Sequence, residues 1–262
     1  MAKVRILSLN TWKNDGDYDR RLPLIALELS RLKPDIALLQ ECFVCQETGD
    51  DTTAYLAGEI EMDFVFAPAR QKLRMHRGSE MKSESGLAIL YHGSLLDKNV
   101  LLLPSSDIGG ERIALRASLE ADGFNASVVC SHFSHIRGEV SIRSRQIDLS
   151  FAEALCDSKS DISVLGGDFN CEPNSEEIEL ALSNHGVPFN NALSFVGCSD
   201  ATCPLPPSRT RRNRQIDQVW VSDSGDERPK IVDAGLAMNQ PVGDPPLFPS
   251  DHAAVWVDLE LT

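Results

Sequence analysis

Gly166-Gly167-Asp168-Phe169-Asn170 closes one apolar run, and Ser250-Asp251-His252 stands near the end of the chain as a second carboxylate-led cluster. The same arrangement recurs elsewhere: Leu7-Ser8-Leu9-Asn10 ends the first apolar segment and Leu38-Leu39-Gln40-Glu41 the second. Ser131-His132-Phe133-Ser134-His135 and Gln215-Ile216-Asp217-Gln218-Val219-Trp220 add two more. Acid, amide and imidazole groups thus gather where strands would end. The hard carboxylate oxygen of Glu41 and the amide oxygen of Asn10 suit Mg2+ or Mn2+. A carboxylate can orient or deprotonate water, and amide and imidazole groups can donate to a developing negative charge.

Taken in this order, the segments from Asn10 to His252 resemble the endonuclease/exonuclease/phosphatase family of metal-dependent phosphoester hydrolases. The resemblance implies that Asn10, Glu41 and Asp251 face the metal and that Asp168 handles the attacking water. It further implies that Asn170 donates to the scissile phosphate, that Asp217 fixes the tautomer of His252, and that His132 binds phosphate or protonates the leaving oxygen. Arg143 and Gln146, one helical turn apart, resemble a recurrent scaffold pair of the family. His135 is expected to be a loop or structural residue, and His76, His92 and His185 match no motif. Lys13 and Asn14 follow Trp12 where some nuclease relatives carry another acid, which leans the site toward one tightly bound ion. The expected activity is metal-assisted attack of water on phosphorus, in a nuclease-like phosphodiesterase acting on nucleic acid or a nucleotide. The alternatives are a phosphomonoesterase of a small phosphorylated metabolite, a sphingomyelinase-like lipid phosphodiesterase, and a non-catalytic phosphate-binding scaffold.

A net charge of −14 argues against a broadly basic face of the kind that holds nucleic acid. Local charge differs: Arg70, Lys72, Arg74, Arg77 and Lys82 crowd one stretch, and Arg209, Arg211, Arg212 and Arg214 lie just before Asp217. These segments are expected to form a positive rim that receives an anionic substrate over an acidic pocket. No segment reads as a membrane span or a signal peptide, and seven scattered cysteines do not make a disulfide framework. Cys42-Phe43-Val44-Cys45 has the spacing of a redox pair but no redox setting around it. A cytoplasmic monomer is the expectation.

The elements that must position these groups follow from hydrophobic period. Val4–Asn10 and Asp35–Gln40 read as buried strands separated by a helix opened by Pro23, with Leu22, Ile25, Leu29 and Leu32 at helical spacing. Residues 68–85 read as a long polar loop. Gly86–Tyr91, Val100–Leu103, Ile113–Leu119 and Phe124–Ser131 read as a meander of strands. A second helix spans Glu139–Asp157, a strand Ile162–Leu165, and a third helix runs from Pro173-Asn174 to about Leu182. Strands return at Gln215–Ser222, Lys230–Ala234 and Ala253–Leu261. The runs call for strands buried on both faces, and the family resemblance implies an α+β fold: a four-layer α-β-β-α sandwich of two mainly antiparallel sheets flanked by helices. One domain over residues 1–262 is expected, since candidate site residues lie near both ends.

Overall fold

In the computed structural model, which describes residues 3–121, 123–206, 213–222 and 230–260, the chain alternates strands and helices in sequence. The first half runs β1 (Lys3–Asn10), α1 (Tyr18–Leu32), β2 (Ile36–Cys45), β3 (Asp50–Asp51), α2 (Thr52–Glu59), β4 (Asp63–His76), β5 (Ser79–Tyr91) and β6 (Ser94–Leu103). Next come β7 (Arg112–Ala121), β8 (Phe124–His132), α3 (Val140–Ala154), β9 (Ile162–Asp168), α4 (Glu176–Ser183) and β10 (Phe189–Asn191). The chain continues through α5 (Ala192–Phe195), β11 (Asp217–Ser222), β12 (Lys230–Ala237) and β13 (Ala254–Glu260).

Two sheets result, one ordered β12-β13-β1-β2-β5-β4 with β3 beside β2, the other β10-β11-β9-β8-β7-β6. Pairing is antiparallel except for β1 with β2 and β8 with β9. Each parallel pair needs a crossover, and α1 and α3 supply them. Alternation along the strands sends one set of side chains between the sheets and the other outward. Val4, Ile6, Ile36, Leu38, Val128, Val164, Val219 and Val257 fill the space between the sheets. On the outer face of the first sheet, Leu7, Leu9, Ala37 and Leu39 pack on Ile25, Ala26 and Leu29 of α1. On the outer face of the second, Val129 and Leu165 meet Ile147, Phe151, Ile178 and Ala181 of α3 and α4. These three cores define the four expected layers.

Two expectations need correction. Residues 68–85 are not a loop: β4 and β5 remain paired from Asp63↔Tyr91 to His76↔Ser79, past a bulge between Pro68 and Arg70. Charged residues at alternate positions of an extended hairpin read as loop composition because neither face is fully buried. Helix α1 begins at Tyr18, and Pro23 lies inside it. Ile25, Ala26 and Leu29 bury its inner face, and this packing outweighs the backbone hydrogen bond that proline cannot donate.

All seven cysteines are free thiols. Burial pushes the Cys42 thiol up to about 12, so it is far from a reactive thiolate. Among the described residues no helix is long and apolar enough to cross a membrane.

Candidate active site

Strand ends β1, β2, β8, β9 and β11 open into one cavity of about 640 Å3, which Asn10, Glu41, His132, Asp168, Asn170, Asp251 and His252 all line. Asp168 lies at its centre. Its Oδ2 is 3.1 Å from Asn10 Nδ2, 3.5 Å from His132 Nε2 and 4.0 Å from His252 Nε2. Register makes this convergence: Asp168 pairs with His132 across the parallel β8–β9 ladder and with Asp217 across β11. Gly167 permits the close approach of β8, because a Cβ there would stand 1.8 Å from the Ser131 carbonyl oxygen.

The residues next to the strand ends depart from extended geometry. Glu41 and Asn170 have φ of +59° and +53°. Glu41 sits where the β2–β5 register slips between Leu39 and Cys42, a bulge that turns its carboxylate into the cavity. Strand alternation would put Asn170 on the same face as Asp168, but β9 stops at Asp168. A turn brings the two together instead: Asn170 N–H donates to Asp168 Oδ1 at 3.0 Å. The Asn170 amide meanwhile donates to the Phe133 carbonyl at 3.1 Å. His252 and Asp251 likewise do not diverge as an extended segment would make them. They sit in a bend, with His252 Nε2 3.8 Å from Asp251 Oδ1.

Asp217 is fully buried and holds His252 Nδ1 at 2.9 Å. Thr202 Oγ1 fixes its backbone by accepting from the N–H groups of Ile216 and Asp217, each at 3.0 Å. Burial works against a charged His252, but the charge and hydrogen bond of Asp217 override it and raise the imidazole well above its ordinary value. His132 goes the other way. Burial first, then the Arg112 and Lys13 charges, push it well below its ordinary value. Burial also raises the carboxyls of Asp251 and Asp168, the latter to about 7 with a further push from the Asp217 charge. One imidazole is thus held charged and the other neutral within one pocket.

Asp168, Asp217 and His252 offer ligand atoms within 4.8 Å of one another. Asp217 is committed to the Nδ1 side of His252, so this trio reads as a hydrogen-bonded unit rather than a metal cage. The better donor set for a hard cation is Glu41, Asn10 and Asp251: buried Asp251 Oδ1 has no hydrogen-bond partner, and all three offer oxygen. Lys13 places Nζ 2.8 Å from Glu41 Oε2.

Sequence reasoning missed Arg21, 1% exposed, which donates to the carbonyls of Thr11, Trp12, Lys13, Asp15 and Pro249 at 2.7–3.1 Å. It ties the loop after Asn10 to the segment before Asp251, and Ser250 Oγ adds a 2.6 Å bond to the Asn10 carbonyl. A lone arginine on a helix carries no sequence signal for such a role. Arg143 and Gln146 of the expected scaffold pair hold the loop after His132, through the Ser134 carbonyl at 3.0 Å and the Ser134 N–H at 2.9 Å. His135, expected to be a loop or structural residue, lies in the loop after β8, lines the cavity and takes a 2.9 Å contact from Arg112.

The expected basic rim divides. Arg70, Lys72 and Arg74 line the cavity, whereas Arg77 turns away to Asp19 and Asp50. Arg209, Arg211 and Arg212 lie outside the described residues. Arg214 donates to the Asn170 carbonyl at 2.7 Å, so it braces the Asn170 turn instead of standing free for a substrate.

No curated protein matches the chain by sequence. Among solved structures, the catalytic domain of human Nocturnin with bound sulfate superposes with a TM-score of 0.75 at 20% identity, over 99% of this chain and 94% of that one. A mannosyl-6-phosphatase from Bacteroides thetaiotaomicron gives 0.74 at 20% identity, over 98% and 100%. D. rerio TDP2 in complex with a single-strand DNA product gives 0.77 at 15% identity, over 99% and 100%. These likenesses establish a shared fold. Residues 7–252, from the first strand to the last site histidine, match the endonuclease/exonuclease/phosphatase family, and the chain belongs to that family of phosphoester hydrolases.

Proposed function

We propose that the chain is a divalent-metal-dependent phosphodiesterase in which residues 1–262 act as one catalytic domain and water attacks phosphorus. The observation that carries this reading is the convergence on Asp168 of Asn10, His132 and His252 at 3.1–4.0 Å, with oxygen donors beside it. Glu41, Asn10 and Asp251 would hold Mg2+ or Mn2+, which when bound neutralises charge on the phosphoryl oxygens and acidifies water. Asp168, once ionised, accepts the proton of the attacking water. His252, kept as an imidazolium by Asp217, donates to the phosphoryl oxygens as their charge develops. His132, neutral at the end of β8, can receive the phosphate through a ring N–H without adding charge to a cationic cavity wall.

Arg70, Lys72, Arg74 and Arg112 line the cavity of a chain whose net charge is −14, which favours a short phosphoester over a long polyanion. Hydrolysis of bis-p-nitrophenyl phosphate and p-nitrophenyl phosphate with Mg2+, Mn2+ or chelator tests the proposal. Metal-dependent diester cleavage that vanishes in Asp168→Ala is the expected result. A clear preference for the monoester would move the assignment to a phosphomonoesterase, and activity toward neither, with metal bound, would favour a phosphate-binding scaffold.

A further inference from the structure

We propose that the cavity contains a second anion subsite, formed by Arg70, Lys72 and Arg112, which takes a second phosphoryl group of a small substrate. The proposal rests on the phosphoester reading above and names its substrate class.

The cavity is bipolar. Its acids are Glu41, Asp168 and Asp251 with Asp15 and Glu111, and its cations are Lys13, Arg112 and a basic wall of Arg70, Lys72 and Arg74 from the β4–β5 hairpin. A chain with 39 acidic side chains against 25 Lys and Arg has carboxylates to spare for its cations, yet among the described residues Arg70, Lys72, Arg74 and Arg112 make no ion pair. Arg74 is occupied by neutral partners, donating to Ser83 and Ser85 across the hairpin at 2.8–3.0 Å. Arg112 is buried at 8% exposure, its side chain hydrogen-bonds among the described residues to the His132 carbonyl and His135, and its buried Nε has no partner. The Arg70 guanidinium lies against Gly110, where a Cβ would approach Nη2 to 1.4 Å.

The cations also crowd one another. The charge of Arg70 foremost, then partial burial and the charges of Arg74, Lys13 and Arg112, press the Lys72 ammonium below its ordinary value. Arg112 is the buried member of the group, with an unpartnered Nε, and an anion placed beside it, Arg70 and Lys72 would supply the missing acceptor. A scissile phosphate handled at Asp168 leaves this wall to a second phosphoryl group. A cavity of about 640 Å3 is large enough for a nucleotide-sized molecule carrying both.

The test compares two esters that are identical at the scissile bond: thymidine 5′-(p-nitrophenyl phosphate) and the same compound bearing a 3′-phosphate. With Mg2+ or Mn2+, the 3′-phosphate is expected to raise kcat/KM of the wild type roughly tenfold or more, mainly through KM. In the double variant Arg70→Gln/Lys72→Gln, whose fold is checked by circular dichroism, that ratio falls toward one. Equal kcat/KM for the two esters in the wild type, or an undiminished ratio in the variant, would overturn the subsite. If neither ester is cleaved, the hydrolase reading fails and calorimetry on chelator-treated protein decides the subsite separately. Thymidine 3′,5′-bisphosphate binding roughly tenfold tighter than thymidine 5′-monophosphate supports it, and equal binding overturns it.

Discussion

Asp168, Asp217 and His252 are buried at 2, 0 and 7% exposure, with His252 held between the two carboxylates. Arg70, Lys72 and Arg74, across the same cavity, ride on the β4–β5 hairpin and take no carboxylate among the described residues. The first region is fixed before any ligand arrives, because sheet register, Thr202 and Gly167 leave its groups little freedom. The second makes no ion pair among the described residues, and the nearby Glu41 and Asp15 act on Arg74 only through space. The proposed chemistry is therefore tied to the core, and the proposed second anion subsite to a hairpin whose residues can change with little cost to the fold.

The largest effect expected from breaking the core region is that of Asp168→Asn, which should lower diester hydrolysis at least about 10^3-fold. The same substitution should stabilise the metal-free protein at alkaline pH. The folded-state value of Asp168, about 7, lies above its ordinary 3.8. Its contribution is therefore most favourable below the ordinary value and is lost as pH rises through about 7. Urea unfolding at pH 5 and pH 8.5 should show Asp168→Asn gaining on the wild type at the higher pH, on the order of a few kcal/mol at most. A variant that lost stability equally at both pH values would refute the buried-charge account.

Next in size, Asp217→Asn should reduce kcat roughly 10^2- to 10^3-fold by leaving His252 without its charge partner. The His252 ring should then titrate nearer its ordinary value, as read by nitrogen-15 NMR of the imidazoles. His252 contributes stability that is fully present below the ordinary value of 6.5 and lost as pH rises through its raised folded value, so the variant's stability deficit should shrink toward high pH. An unmoved titration would show that Asp217 does not govern His252.

Arg21→Met sharpens the contrast from the supporting side. It strands the carbonyls that converge on the guanidinium, and denaturant unfolding should register a loss of roughly 3 kcal/mol with a fall in kcat. The smallest effect belongs to the hairpin: Arg74→Ala removes the bonds to Ser83 and Ser85 and should cost roughly 1 kcal/mol, with kcat nearly unchanged. A larger loss for Arg74→Ala than for Arg21→Met would invert the comparison.

The site was legible in the sequence where a group closes an apolar run, as Asn10, His132 and Asp168 do, because strand ends in such a sandwich open toward one face. The strands themselves were legible from their apolar runs, and the four-layer arrangement followed from the family resemblance. Local alternation says nothing of the geometries of Asn170 and Asp251-His252, since each lies just past or before a strand. Arg21 and Arg112 were invisible because their roles depend on carbonyls and histidines distant in sequence. The β4–β5 hairpin read as a loop because its partner strand, equally polar, supplies hydrogen bonds rather than a hydrophobic pattern.

The central claim is metal-dependent diester hydrolysis centred on Asp168, with Glu41 among the metal ligands. The most direct measurement is the rate of bis-p-nitrophenyl phosphate hydrolysis as a function of Mg2+ concentration for the wild type and Glu41→Gln. The expected result is a saturable Mg2+ dependence, abolished by chelator, whose half-saturation rises at least about tenfold in the variant. Hydrolysis that persists in chelator, or identical Mg2+ curves for the two proteins, would contradict the account.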